Sequence, residues 1–514
     1  MLIDPCAQAG IRPIICRQER VGVHIADGIT RASNGKQIGV FAPQGGPGIE
    51  NSFAGVAQSY SDNTPLLLLP GPATMGRSHT PPSFSAVNNF AHVTKWGCEV
   101  DDPKRIWELL RRAFHNLRTG KSGPVMLEMT GDITEADCGE YAYTPVRAVR
   151  TAPDPADVRA VAEVLLSAEC PVIHAGAGVL WSEATPELVT LAELLNIPVL
   201  TTNTGKSAFP ETHQLSLGAM VISAPKPAFA FLKRADVLFG VGTSLSRTVW
   251  GPQIPAGKRI VHLTNGEADL NKEHFTEAAM LSDVKLGLQA LIAEIGTRRR
   301  PASTIVDEIR TLKDEWRAQF APQLTSDEVP INQYRIVNDL LGMVDRDATI
   351  VTHEAGSPRE QLVPFWETTV PRGYLGWGKS TQLGAGLGMI IGAKLAHPEK
   401  LCVNFMGDAS IGMVGMDLET AVRNKVGILT IVFNNGVMAG ERRGLEFSTE
   451  KYNALDLSGN YAKVADGLGV WSVRIEQPAD FIATARQAID VTRTGRPALI
   501  EVVAKQSDSF SRYP

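Results

Sequence analysis

The sequence predicts an α/β protein made of three doubly wound parallel-sheet domains. Three observations carry this expectation. Short apolar runs alternate with amphipathic helical stretches along nearly the whole chain, as in parallel strands covered by helices. The chain has 514 residues, too many for one hydrophobic core. The alternation also falls into three blocks of similar architecture, with no tandem repeat and no low-complexity tract.

The first block spans roughly residues 1–150. Its expected strands are PIICR (13–17), IGVFAPQ (38–44), PLLLLPG (65–71) and PVMLEMT (124–130). A helix is expected around RIWELLRRAFHNL, where Ile106, Leu109, Leu110, Ala113, Phe114 and Leu117 recur at helical spacing. The second block, 155–300, has strands at 171–179, 198–202, 237–244 and 259–265. It ends near TRRRPAS (297–303), a basic stretch that reads as a solvated linker or helix end. The third block, 330–505, has strands at 348–356, 401–409, 427–435, 471–475 and 497–504.

Composition excludes several classes. Hydrophobic residues make up 44% and charged residues 20%, with a net charge of -5. That balance gives no case for binding nucleic acid or an anionic membrane. No apolar run is long enough to span a bilayer, and the start lacks the pattern of a signal peptide. The cysteines, Cys6, Cys16, Cys98, Cys138, Cys170 and Cys402, form no CxxC pair and no zinc-ligand spacing. They read as reduced thiols of a cytoplasmic enzyme.

The chemistry concentrates at NFMGDASIGM (404–413). In a parallel sheet, ligands bind beyond the carboxyl ends of the strands, and Asp408 stands at such an end. Ala409 and Ser410 follow, so backbone N–H groups can approach an anion closely. GMDLETAVRNK reads as the next helix and GILTIVFNN as the next strand, ending in Asn434 and Asn435. One helix crossover fits between Asp408 and Asn435, so the two strand ends are expected side by side. A carboxylate, an amide oxygen and a nearby carbonyl form a hard oxygen set suited to Mg²⁺ and phosphate. Each piece alone also reads as an ordinary cap or turn.

GDA followed by NN at this distance resembles the thiamine diphosphate-binding motif. The whole chain resembles the acetolactate synthase-like group of thiamine diphosphate enzymes, which includes benzaldehyde lyase, oxalyl-CoA decarboxylase and 2-hydroxyacyl-CoA lyase. The resemblance implies a pyrimidine-binding domain, a central domain and a diphosphate-binding domain. It implies that Asp408, the Asn435 side chain and the Val437 carbonyl bind Mg²⁺. Ala409 replaces the glycine most common in the motif, and its small side chain leaves the anion site room.

CRQERVGVHIADGITRASNG (16–35) resembles the family's catalytic segment: a strand, a turn at Glu19, then a helix. By resemblance, Glu19 hydrogen-bonds N1′ of the aminopyrimidine and starts the proton transfer that frees the thiazolium carbon to attack a carbonyl. Taken alone, Glu19 reads as a surface acid favoured by a helix dipole. In GKSTQLGAGLGMIIGAKLAHP (378–398), the resemblance makes Leu383 the wedge between the cofactor's rings and gives the Thr381 carbonyl a bond to the 4′-amino group. Leu383 taken alone reads as helix core. In THEAGSP (352–358), Glu354 and Ser357 sit where relatives contact diphosphate; Ser357 suits a donor, and Glu354 suits a structural role.

PQGGPGIENSFAGVAQSYSDNTPLLLLPG (43–71) matches the group's Gly-Pro-Gly-x-x-Asn segment. Gln44 there faces either the substrate or its own loop. Phe84 is followed by Ser85 where relatives carry a Phe-Gln pair. Arg442 or Arg443 suits a substrate carboxylate or phosphate, one of the two being simply solvated. In the central domain relatives bind FAD, ADP or nothing. HAGAG (174–178) is not a dinucleotide fingerprint, and Arg247 reads as structural. The resemblance further implies that a strand and helix precede LIDPCAQAGIRPI in relatives, and that CoA-handling relatives extend past the last strand.

The function expected is Mg²⁺- and thiamine diphosphate-dependent C–C bond cleavage or formation: decarboxylation of a 2-oxo acid, then protonation or carboligation of the enamine. The alternatives are an acyl-CoA-handling lyase and a non-catalytic cofactor-binding paralogue. A homodimer or homotetramer is implied, with Glu19 and Asp408 of one site coming from different subunits.

Overall fold

The computed structural model describes every residue except 1, 72–75, 77–79, 249–250, 252, 302, 442–443, 508 and 514. Its strands form three wholly parallel sheets. In the first, β1 (Gly39–Phe41), β2 (Leu66–Leu68), β3 (Trp96–Val100) and β4 (Val125–Met129) take the order β1-β2-β4-β3. The second holds β5 (Val172–Ala175), β6 (Val199–Thr202), β7 (Ser216–Met220), β8 (Val237–Val241), β9 (Arg259–Thr264) and β10 (Thr276–Leu281), in the order β10-β9-β8-β5-β6-β7. The third holds β11 (Thr349–His353), β12 (Tyr374–Leu375), β13 (Leu401–Gly407), β14 (Leu429–Asn434), β15 (Trp471–Ile475) and β16 (Ala498–Val503), in the order β12-β11-β13-β14-β16-β15. The central strands are mostly apolar because helices cover both faces, with a few buried polar residues such as His174, Asn404 and Glu501 among them.

The expected strand at 13–17 does not form. In the first sheet β1 is an edge, and residues 13–17 pair with no strand there. They are tied to the third sheet's helices instead. Asp417 accepts the N–H groups of Arg17 at 2.8 Å and Gln18 at 3.2 Å. Arg423 donates to the Ile15 carbonyl at 2.6 Å. The expected strands also omitted β3, β7, β10 and β12. β3, β7, β10 and β12 all lie on sheet edges. β3 and β10 are partly exposed and so tolerate the Gly and Glu that blur an apolar run, whereas β7 and β12 are buried but β7 carries Ser and Gly and β12 has only two residues.

The Glu19–Ala32 helix crosses the Ala385–Ala396 helix almost backbone to backbone. A Cβ on Gly28 would lie 2.1 Å from the Met389 carbonyl oxygen, and one on Gly392 would lie 2.1 Å from that of Ile25. Val21 and Ile25 thereby join a core with Ile350, Leu387, Ile391 and Met406 of the third block. The central sheet is fastened to the third by buried Lys206. Its ammonium donates to Glu211, whose Oε2 accepts the Thr368 N–H at 2.7 Å. Among the described residues no helix is long and apolar enough to cross a membrane.

Candidate active site

β13 and β14 run side by side, Gly407 opposite Phe433, so their polar ends meet. Asp408 opens the Asp408–Val414 helix and is 3% exposed. Its Oδ1 accepts the Ala409 N–H at 2.8 Å and its Oδ2 the Gly436 N–H at 2.7 Å. Burial raises its pKa, while the N–H groups of Ala409, Gly436, Asn435 and Val437 pull it down. Asp408 forms no ion pair among the described residues. Asn435 Oδ1 accepts the Val437 N–H at 3.2 Å. The Val437 carbonyl accepts from Ala439 at 3.0 Å, which leaves it one lone pair. The other asparagine, Asn434, is committed elsewhere, donating to Glu501 at 2.7 Å.

Ser410 turns inward: its hydroxyl donates to the Gly407 carbonyl at 2.9 Å and accepts the Gly407 N–H at 3.2 Å. Ser357 opens the Ser357–Phe365 helix after Gly356, whose φ is +86°. Pro358 lies beside Gly407, 3.9 Å from where a Cβ would stand, so the two helix starts are neighbours.

The turn before the Ala385–Ala396 helix carries Thr381 and Leu383. Thr381 has a φ of +55°, a left-handed conformation uncommon for a β-branched residue. Leu383 is half-buried, ahead of the helix and outside the hydrophobic clusters, so it is not helix core. The first block grips this turn. His24 Nε2 and Gln382 Oε1 lie 3.2 Å apart, and Asp62 accepts the N–H groups of Gly378 at 3.2 Å and Lys379 at 3.3 Å.

Glu19 begins its helix half-buried. Asn51, the asparagine of the Gly-Pro-Gly-x-x-Asn segment, donates to its Oε2 at 3.3 Å. The Cβ that Gly48 lacks would lie 3.7 Å from its Oε1, so the segment's last glycine keeps the carboxylate uncovered. Arg20, next in the helix, reaches the turn at Gly384.

Gln44 is exposed, and its backbone bridges to Gly71. Phe84 packs against the first sheet's core around Ile49, Val56 and Phe90. Arg442 and Arg443 lie outside the described residues. In the central block, a Cβ on Gly176 would stand 2.4 Å from the Gly242 carbonyl oxygen, so packing accounts for that glycine of HAGAG. Arg247 pairs with Glu273 at 3.6 Å. A cavity of about 650 Å³ opens among the three sheets, lined in part by His174, Asn203, Thr243 and Lys379. Its Lys121 is held by Asp269 at 2.7 Å.

One partner carried no sequence signal: Asp417, which anchors residues 17–18; Glu354, expected in a structural role, has a carboxylate that reaches the turn at 384–386, a target the sequence did not indicate. Both act across contacts remote in sequence. Asn51 was legible as the last position of its motif.

The Asp408 donor set fits a divalent cation holding a diphosphate. It joins one desolvated carboxylate, one amide and one carbonyl beside the start of the Ser357–Phe365 helix. Among the described residues no group of three or more His, Cys, Asp or Glu is placed to hold a metal.

Comparison with known proteins agrees. The N-terminal TPP binding domain of thiamine pyrophosphate enzymes matches residues 1–92, the central domain 158–291, and the C-terminal TPP binding domain 354–502. The chain belongs to the thiamine pyrophosphate enzyme family. Within that family it is acetolactate synthase-like. It is 28% identical to a probable acetolactate synthase large subunit of Methanocaldococcus jannaschii, over 98% of this chain and 87% of that protein. It is 25% identical to the glyoxylate carboligase of Escherichia coli O157:H7, over 98% and 88%. It is 27% identical to the sulfoacetaldehyde acetyltransferase of Alcaligenes xylosoxydans xylosoxydans, over 99% and 90%. This thiamine pyrophosphate enzyme thus aligns over nearly its whole length with a probable acetolactate synthase large subunit, a glyoxylate carboligase and an acetyltransferase.

Proposed function

We propose that this enzyme uses thiamine diphosphate and Mg²⁺ to decarboxylate a 2-oxo acid, then passes the remaining fragment to a proton or to an acceptor carbonyl. The observation that carries this reading is the buried Asp408 carboxylate beside Asn435 at two adjoining strand ends. Asp408, the Asn435 side chain and the Val437 carbonyl hold Mg²⁺. The N–H groups of Ala409 and Ser410, with Ser357, meet the diphosphate. The Thr381 carbonyl and Leu383 orient the ring system. Glu19 exchanges a proton with N1′ of the pyrimidine, and Asn51 fixes its carboxylate. The bound cofactor supplies an electron sink for the pair released when the C–C bond breaks.

The relatives named above support small 2-oxo acids over acyl-CoA as substrates. Gln44, Phe84 and Arg442 are proposed as substrate contacts. A homodimer or homotetramer is proposed because apolar side chains lie exposed beside the site: Met413 and Met416 after Asp408, and Phe53 after Asn51. Six free cysteines support a reducing, cytoplasmic setting.

The test is calorimetry with thiamine diphosphate in magnesium buffer, followed by a screen of 2-oxo acids and acyl-CoAs for CO₂ release. Saturable heat and turnover of a 2-oxo acid are expected. A protein that shows no heat defeats the proposal, and turnover of acyl-CoA alone moves it to the lyase reading.

A further inference from the structure

We infer that Glu354 is a positioning residue: its carboxylate sets the turn carrying Thr381 and Leu383 and joins that turn to the helix that begins at Glu19. The inference rests on the reading above and adds a residue to it.

Glu354 follows β11 and is fully buried. A carboxylate in such a place has a large desolvation cost unless it is bonded. It is bonded twice to one target. Oε2 accepts the Gly384 N–H at 2.9 Å, and Oε1 accepts the Gly386 N–H at 2.8 Å. These amides straddle the start of the Ala385–Ala396 helix, so one side chain fixes both the direction of the helix and the turn leading into it. The site admits nothing larger than glycine at 386. A Cβ there would lie 2.6 Å from Asn404 Oδ1 and 2.9 Å from Glu354 Oε1. Gly384 has a φ of +94°, and its missing Cβ would lie 3.5 Å from Arg20 Nη2. The Arg20 guanidinium and the Glu354 carboxylate thus flank one glycine, each favouring the other's charged form. Arg20 is the residue after Glu19, so this attraction links the turn to the helix that begins at Glu19 in the same chain. Burial pushes the Glu354 carboxyl up to about 8 against the pull of the Gly384, Gly386 and Leu387 N–H groups and Arg20, so the group is held there at a cost and makes both bonds in full only when ionised.

Glu354→Gln tests the inference because it keeps the shape but turns an NH₂ toward one of the two amides. Parent and variant are compared by thiamine diphosphate calorimetry, by turnover of the best 2-oxo acid, and by hydrogen exchange of residues 378–390. The expected result is a roughly tenfold or greater weakening of cofactor binding and loss of kcat, with KM for the 2-oxo acid unchanged and faster exchange in that segment. Glu354→Asp, which keeps the charge, is expected to recover part of each effect. It is read in the same way if the Gln protein does not fold. Parent-like affinity, kcat and exchange in the variant overturn the inference while the cofactor reading stands. A parent that binds no cofactor fails the earlier reading instead, and faster exchange in Glu354→Gln then still supports the contact with the turn.

Discussion

The Asp408 carboxylate takes the Gly436 N–H at 2.7 Å, so the residue that follows β13 holds the turn that follows β14. Two strand ends become one rigid lip, and the carboxylate at its centre forms no ion pair among the described residues. Asp408→Asn keeps the shape and can still accept from Gly436. Thiamine diphosphate binding in magnesium buffer is expected to weaken by roughly a hundredfold. The cofactor-free protein is expected to stay within about 1 kcal/mol of the parent, because the desolvated charge is gone but an NH₂ is turned toward the Ala409 N–H. Calorimetry and thermal melting check the two halves separately.

Glu19→Gln is expected to bind the cofactor within a few-fold of the parent while turnover falls by about 10²–10⁴, the range for losing a general acid–base. Steady-state kinetics with calorimetry decide this. Undiminished product formation removes Glu19 from the proton path.

Asp417 fixes the start of the Glu19 helix through two backbone N–H groups and also accepts the Thr420 hydroxyl at 2.9 Å. Asp417→Ala leaves these donors unpaired. A loss of about 1–3 kcal/mol in urea unfolding is expected, together with faster exchange of the amides of Arg17 and Gln18. A silent substitution would mean that the helix start is held by packing alone.

Gly392→Ala places a methyl against the Ile25 carbonyl oxygen. Alanine is better than glycine in a free helix by up to about 1 kcal/mol, yet overpacking here is expected to cost about 1–3 kcal/mol net. Gly342→Ala, in the Gln333–Met343 helix with nothing within 4 Å, is the control and is expected to be neutral or stabilising. Melting temperatures moving in the same direction would refute the close crossing.

Stability should fall on both sides of neutrality. Burial lowers His24 and His174 to about 4 and His353 to about 3, from an ordinary 6.5. Between these values and 6.5 the unfolded chain binds protons that the folded chain refuses. The stability these groups contribute is therefore present above 6.5 and lost as pH falls. Glu354 acts in the opposite sense. Its carboxyl is raised from 4.5 to about 8, so the folded chain keeps a proton that the unfolded chain has released, and its contribution is lost as pH rises across that span. Urea midpoints from pH 4 to 9 should show the dome. His174→Leu should flatten the acid limb and Glu354→Gln the alkaline limb.

The central strands and the Asp408–Asn435 pair were legible because both depend on local pattern: an apolar run, then polar residues where it stops. Edge strands such as Trp96–Val100 were not legible, since half-exposed positions relax the pattern. Residues 13–17 carry the apolar pattern of a strand but pair with none, because pairing depends on neighbours remote in sequence. Likewise nothing local marks Asp417 as the anchor of Gln18, or Glu354 as the acceptor for Gly384. Leu383 reads as helix core from its neighbours and stands outside it in space.

Where Gly28 and Gly392 let two backbones touch, the crossing behaves as a weld and not as a bearing. Any rotation of the first sheet against the third would drive carbonyl oxygens into α-carbons, so these two parts move as one piece. Reactants must then come and go past side chains and loops.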